Sequence, residues 1–143
     1  MEMPEKTDVL LEKVSDLNIL YKHVTGMMLQ EHGLSHSAIN LMKLIGSNEY
    51  TLKQITEHSK LDKSTVSRQM NALVKKGLVT KTTGRDKRYA YFTVTDEAQQ
   101  IYKEFHAHME DKFETILSGW TQEEVHMLTV LLGRLNRSMT NRI

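Results

Sequence analysis

The residues of this chain best suited to chemistry lie in one short run, DKSTVSRQMNALVKKG, from Asp62 to Gly77. At 100° per residue, with Val66 set to zero, Met70 and Leu73 fall within about 40° of it, whereas Ser67, Asn71, Ser64, Lys75 and Arg68 fall between roughly 100° and 200°. The first set makes an apolar stripe that must be buried. The second is a continuous polar stripe of hydroxyl, amide, guanidinium and ammonium groups without a carboxylate. Packing a helix into a core does not require such a composition on the opposite side. Binding phosphates and base edges does: Arg68 can fork onto guanine, Asn71 onto adenine, and serines near a helix N-terminus suit phosphate.

A second cluster follows at once. The segments LVTKTT and YAYFTVT are rich in β-branched and aromatic residues and flank GRDKR, which reads as a two-stranded hairpin with Arg85, Asp86, Lys87 and Arg88 at its tip. Ala90, Phe92 and Val94 alternate with Tyr89, Tyr91 and Thr93, predicting one inward and one outward row. Cations at the end of a ribbon suit a minor groove, where narrow A·T tracts concentrate negative potential. Asp86, two residues before Arg88, is placed to orient its guanidinium.

Charge is segregated to match. Lys60 to Tyr91 holds nine cations and two anions, an excess of seven positive charges, while the rest of the chain, with ten cations and sixteen anions, carries an excess of six negative ones. The net charge of +1 conceals one surface made for a polyanion.

The elements that must position these groups are legible from periodicity and caps. A single proline, few aromatics and abundant Leu, Met, Glu, Lys and Gln predict a mostly α protein with a small β-hairpin. Apolar residues from Val9 to Met28 recur at helical steps up to Gly33, and Ser35 opens a second helix ending at Gly46. GSNEY reads as a turn. Thr51 and Gln54 have capping-box spacing for a short third helix, and Asp62 caps the fourth after a tight turn, a helix-turn-helix pattern. Past the hairpin, Thr95-Asp96-Glu97 opens a long helix ending near Gly119, and Thr121 with Glu124 caps the last. The long first, fifth and sixth helices carry more apolar surface than the small central unit can cover, so they are expected to interlock with a second copy of the chain. The organisation predicted is an N-terminal dimerisation helix over 1–34, a DNA-binding domain over 35–95, and C-terminal dimerisation helices over 96–143.

Other chemistries find little in the sequence. The absence of cysteine excludes disulfides, thiolate zinc sites, cysteine nucleophiles and thiol-based sensing. No glycine-rich phosphate loop or catalytic triad motif is present, so an enzyme is not expected and no cofactor is assigned. Seven histidines raise the question of metal, but His106 and His108 are separated by about 200° on a helix and no helix carries an i, i+4 pair. A site from His32, His36 and the helix of His106 and His108 lacks support, and no metal is expected. Tyr21, Met27, Met28 and Met42 are candidates either for an adaptable apolar ligand pocket or for plain core. The N-terminus lacks a basic segment followed by an apolar one and no run is long enough to span a bilayer, so a cytoplasmic protein without membrane contact is expected.

The order of motifs resembles the MarR family of bacterial winged-helix regulators: D-K-S-T-V-S-R at Asp62 to Arg68, K-K-G-L-V at Lys75 to Val79, D-K-R at Asp86 to Arg88 and V-T at the hairpin's end. The resemblance implies a winged helix-turn-helix domain with a helical dimerisation region, and a homodimer on a pseudo-palindromic operator in double-stranded DNA. Lys63, Ser64, Thr65, Ser67, Arg68, Asn71 and Lys75 would face a major groove, and a wing bearing Arg85, Asp86, Lys87 and Arg88 an adjacent minor groove. It further implies a transcriptional repressor that a small lipophilic effector releases from DNA. Ile55-Thr56 in place of Leu-Ala, Lys60 in place of a turn glycine, and Ala98 in place of a glycine depart from the family pattern. The alternatives are a winged helix used for protein interaction, which calls for an apolar or mixed exposed helix face, and a nonspecific DNA binder without ligand response.

Overall fold

A computed structural model describes residues 6–84 and 86–142. The elements run α1 (Lys6–Glu31), α2 (His36–Ile45), β1 (Tyr50–Thr51), α3 (Leu52–Ser59), α4 (Lys63–Lys75), β2 (Val79–Thr83), β3 (Ala90–Val94), α5 (Asp96–Ile116) and α6 (Gln122–Arg142). Helices and hairpin appear where periodicity and caps place them. Ser35 Oγ accepts from Ala38 N at 3.1 Å, and Thr51 and Gln54 satisfy each other's backbone N–H in a complete capping box. None of the described helices is long and apolar enough to cross a membrane.

The chain divides into two compact units, one through Ala107 and one from His108. In the first, α2, α3 and α4 close on the sheet around Leu41, Met42, Ile45, Ile55, Val66, Met70, Leu73, Leu78 and Phe92, all buried. Ala98 at the start of α5 is fully buried as well, so its methyl group fills space that a glycine would leave empty. The N-terminal part of α1 lacks cover within its own unit: Val9, Leu10, Leu17, Ile19 and Leu20 are each at least half exposed. In the second unit, the end of α5 turns through Gly119, at φ +91°, into α6, where Thr121 N donates to Glu124 Oε1 at 2.9 Å and Glu124 N to Thr121 Oγ1 at 3.1 Å. Met127, Val130 and Leu131 on α6 are also at least half exposed.

Two sequence expectations are corrected. GSNEY is not wholly a turn: Tyr50 and Thr51 form β1, so the sheet has three antiparallel strands in the order β1-β3-β2 rather than two. Tyr50 pairs with Phe92 and Thr51 with Tyr91, and a two-residue strand leaves no alternation in sequence by which to find it. The alternation expected along β3 is also less clean. Phe92 is buried, but Tyr91 and Thr93 are half-buried like Ala90 and Val94; the Tyr91 ring is covered in part by lying over Gly84, in the space a Cβ there would occupy. Alanine at Gly84 would have to displace that ring.

Lys60, the C-cap of α3, sits in the left-handed region at φ 60° and ψ 17°, the only described non-glycine residue with positive φ. A side chain in that conformation costs roughly 1–2 kcal/mol, and glycine there costs about 0.4–1 kcal/mol through the unfolded chain's freedom. Lys60→Gly is therefore expected to raise stability by about 0.5–1 kcal/mol in urea denaturation. A loss of stability would show that the Lys60 side chain outweighs the strain.

Candidate nucleic-acid interface

Orientation of α4 comes from its two faces. Val66, Met70 and Leu73 are buried, and Lys63, Ser64, Arg68, Asn71 and Lys75 are exposed, with Thr65 and Ser67 half-buried. The amphipathic pattern thus brings the predicted stripe onto one solvent-facing side. Arg68 and Asn71 form no ion pair or side-chain hydrogen bond among the described residues, so both are available to a partner.

The helix begins on a dense cap. Asp62 Oδ1 accepts from Thr65 N at 2.8 Å and from Ser64 Oγ at 2.6 Å, and Oδ2 accepts from Thr65 Oγ1 at 2.9 Å. The bond from Ser64 most of all, then those from Thr65, lower the Asp62 pKa from 3.8 to about 2, with a smaller pull from Arg68. At the far end, Lys76 Nζ donates to Gly33 O at 2.7 Å, tying the end of α4 to the turn after α1. Lys75 and Lys76 look equivalent in sequence, but the second is held by a structural bond. That bond spans 43 residues, and no local pattern signals it.

At the hairpin tip, Arg88 Nη2 donates to Asp86 Oδ2 at 2.7 Å, and Arg88 Nε reaches both carboxylate oxygens at 3.0 and 3.2 Å. The Arg88 backbone N–H donates to Oδ1 at 3.1 Å. These bonds lower the Asp86 pKa and raise that of Arg88. The guanidinium also lies 5.6 Å from the Tyr89 ring centroid, so it is oriented from two sides. Lys87 is exposed, and Arg85 lies outside the described residues.

Between tip and helix runs a groove of about 460 Å³ whose lining includes Lys53 and Glu57 of α3, Lys63 of α4, Lys81 of β2, and Arg88 and Tyr89. Lys53 and Lys81 were not among the sequence candidates. Lys81 lies inside the basic window, which is the signal available for it; Lys53, on α3, has none. Lys81 Nζ stands 5.9 Å from the Phe92 ring centroid.

The remaining candidates are less gathered. Met42 is buried and borders a cavity of about 390 Å³ with Lys43, Val94, Gln99 and Tyr102. Tyr21, Met27 and Met28 lie on α1 and do not contribute to its lining; Tyr21 and Met27 are exposed and Met28 is half-buried. Among the described residues no three His, Asp or Glu side chains are grouped to hold a metal ion. His36 instead shares a 2.5 Å hydrogen bond with the buried Thr25 Oγ1.

Comparison with known proteins agrees with this geometry. Residues 32–88 match the MarR family model. The HTH-type transcriptional regulator YxaD of Bacillus subtilis is 34% identical over 88 residues, 61% of this chain and 62% of YxaD, so the match spans less than two thirds of that relative. TcaR of Staphylococcus aureus is 23% identical over 126 residues, 86% of this chain and 83% of TcaR. In structure, a MarR family protein from Bacillus stearothermophilus matches with TM-score 0.83 at 18% identity, covering 97% of this chain and 99% of that one. Staphylococcus aureus MarR in complex with salicylate and kanamycin matches with TM-score 0.84 at 15% identity, covering 96% and 94%.

The Asp62 cap has a pH consequence. A carboxylate whose pKa is depressed on folding contributes stability that is present above its unfolded value near 3.8 and is lost as pH falls through about 2. Asparagine keeps a capping oxygen but no charge. The stability of wild type over Asp62→Asn, measured by urea denaturation, is expected to shrink between pH 5 and pH 2. A difference independent of pH would contradict the charge-assisted cap.

Proposed function

We propose that the chain, whose residues 32–88 match the MarR family model, is a member of that family and a sequence-specific DNA-binding transcriptional regulator, a repressor acting as a homodimer on a pseudo-palindromic operator. One observation carries the reading: the exposed side of α4 is a stripe of Ser64, Arg68, Asn71 and Lys75, and a basic groove joins it to a hairpin tip bearing Lys87 and an oriented Arg88. A protein-interaction module would call for an apolar or mixed surface there. In this reading α4 enters the major groove, Arg68 and Asn71 read bases, and Lys63, Lys75, Lys53 and Lys81 hold phosphates. The hairpin reaches the adjacent minor groove through Lys87, Arg88 and Arg85, with Asp86 fixing the Arg88 guanidinium. The activity is binding rather than catalysis, and its setting is the cytoplasm.

Dimerisation is supported by the uncovered apolar residues of α1 and α6, which water would penalise by about 25 cal/mol per Å² if they stayed exposed. An effector is a further part of the reading. The cavity bordered by Met42 and Tyr102 is of a size for a small aromatic molecule, and the S. aureus MarR it resembles was seen with salicylate.

Selection of bound sequences from a random duplex pool, followed by sequencing, tests the proposal. An inverted repeat with half-sites about one helical turn apart is expected; sequence-blind retention or none would overturn it. On the selected site, Arg68→Ala is expected to cost about 1–3 kcal/mol and to relax preference at one position, while Lys75→Ala weakens all sequences alike. Uniform loss in both variants would remove the base-reading role of Arg68.

A further inference from the structure

Ser64 stands on the exposed side of α4 in its first turn, the end that a helix lying in the major groove brings to the base edges. A hydroxyl has one proton to donate and two lone pairs to accept with. The proton of Ser64 is committed to Asp62 Oδ1 at 2.6 Å, and that of Thr65 to Asp62 Oδ2 at 2.9 Å. What these hydroxyls offer outward is therefore lone pairs only. Of the two, Ser64 is the exposed one; Thr65 is half-buried.

The chemistry of DNA then restricts the match. Phosphate oxygens accept and do not donate, as do guanine O6 and N7 and thymine O4 in the major groove; the donors there are the exocyclic amines, cytosine N4 and adenine N6. A serine held as an acceptor, with an ionised carboxylate beside it, is poorly matched to phosphate. Phosphate binding falls instead to the neighbouring cations, Lys63, Lys53 and Lys81, which line the adjoining groove. We propose that Asp62 is a specificity-positioning residue: by taking the Ser64 proton it makes Ser64 a reader of an exocyclic amino group, cytosine N4 or adenine N6. This deepens the DNA-binding reading above and rests on it. Because the Asp62 carboxyl loses its proton at a pH of about 2, the arrangement holds throughout the range in which a cell operates.

The test uses the full-length chain and duplex DNA. Selection with wild type and with Ser64→Ala, which leaves the backbone cap from Asp62 to Thr65 N in place, identifies the base pair whose preference the variant erases. At that pair the exocyclic amine is then removed chemically, by purine for adenine or 2-pyrimidinone for cytosine, and in a separate duplex the purine N7 acceptor is removed with a 7-deaza base. Loss of the amine is expected to weaken wild type about tenfold and Ser64→Ala not at all, with the 7-deaza duplex bound normally. Asp62→Ala, which removes the oxygen that accepts the Ser64 proton and leaves that hydroxyl free to donate, is expected to lose sensitivity to amine removal while keeping the rest of the motif. A helix-stabilising role alone would not move that readout. The proposal is overturned if no base pair depends on Ser64, or if wild type responds to loss of the acceptor and not of the amine. A wild type that selects no motif would overturn the DNA-binding reading along with it; a motif kept unchanged by Ser64→Ala would overturn the role of Ser64 and Asp62 alone.

Discussion

Burial of Val66, Met70 and Leu73 beneath α4 decides which way that helix faces, and the properties of the interface depend on it. Each such side chain contributes about 1.5–3 kcal/mol by leaving water, more than any exposed polar contact of the same helix could offset. With the apolar stripe inward, Ser64, Arg68, Asn71 and Lys75 have no orientation available but outward. Ile45 and Ile55, both fully buried, complete the floor from α2 and α3, so the core and the binding face are two sides of one arrangement. The ends of α4 are then fixed by different bonds: the Asp62 cap at its start and the Lys76 bond to Gly33 at its finish.

Electrostatics follow from this placement. The cations of the Lys60 to Tyr91 window are spread along the sequence, but folding gathers Lys63, Lys81 and Arg88 around one groove and adds Lys53 from outside the window. Asp62 and Asp86 are the two acids in that window, and each is engaged by local donors: Asp62 by Ser64 and Thr65, Asp86 by Arg88. They serve as braces for the groups around them. That explains how a surface suited to a polyanion can carry two carboxylates.

What the sequence displayed was chiefly what is local. The capping box at Thr51, the Asp62 cap, the helix stripes and the Asp86–Arg88 pair each involve residues within a few positions of one another, and the periodicity rules act on that scale. What it hid is non-local or too short to have a period. β1 exists only because Tyr50 and Thr51 lie along the free edge of β3, and Lys76 is distinguished from Lys75 only by a carbonyl 43 residues away. Lys53 joins the interface through packing of α3 against α4, and Tyr91 is half-buried because Gly84 leaves room for its ring. Lys60 is an intermediate case. Its turn position was visible in the sequence, while the left-handed conformation it tolerates there was not.

The central claim is that this helix-and-hairpin face binds duplex DNA through its cations. It is tested most directly by measuring affinity for a random-sequence duplex by fluorescence anisotropy over a range of salt concentrations. The account predicts a linear fall of log affinity with log salt, about 0.9 per phosphate contact, and a slope flattened by about one on Lys53→Gln or Lys81→Gln in the groove. An affinity insensitive to salt, or a slope that neither substitution changes, would contradict it.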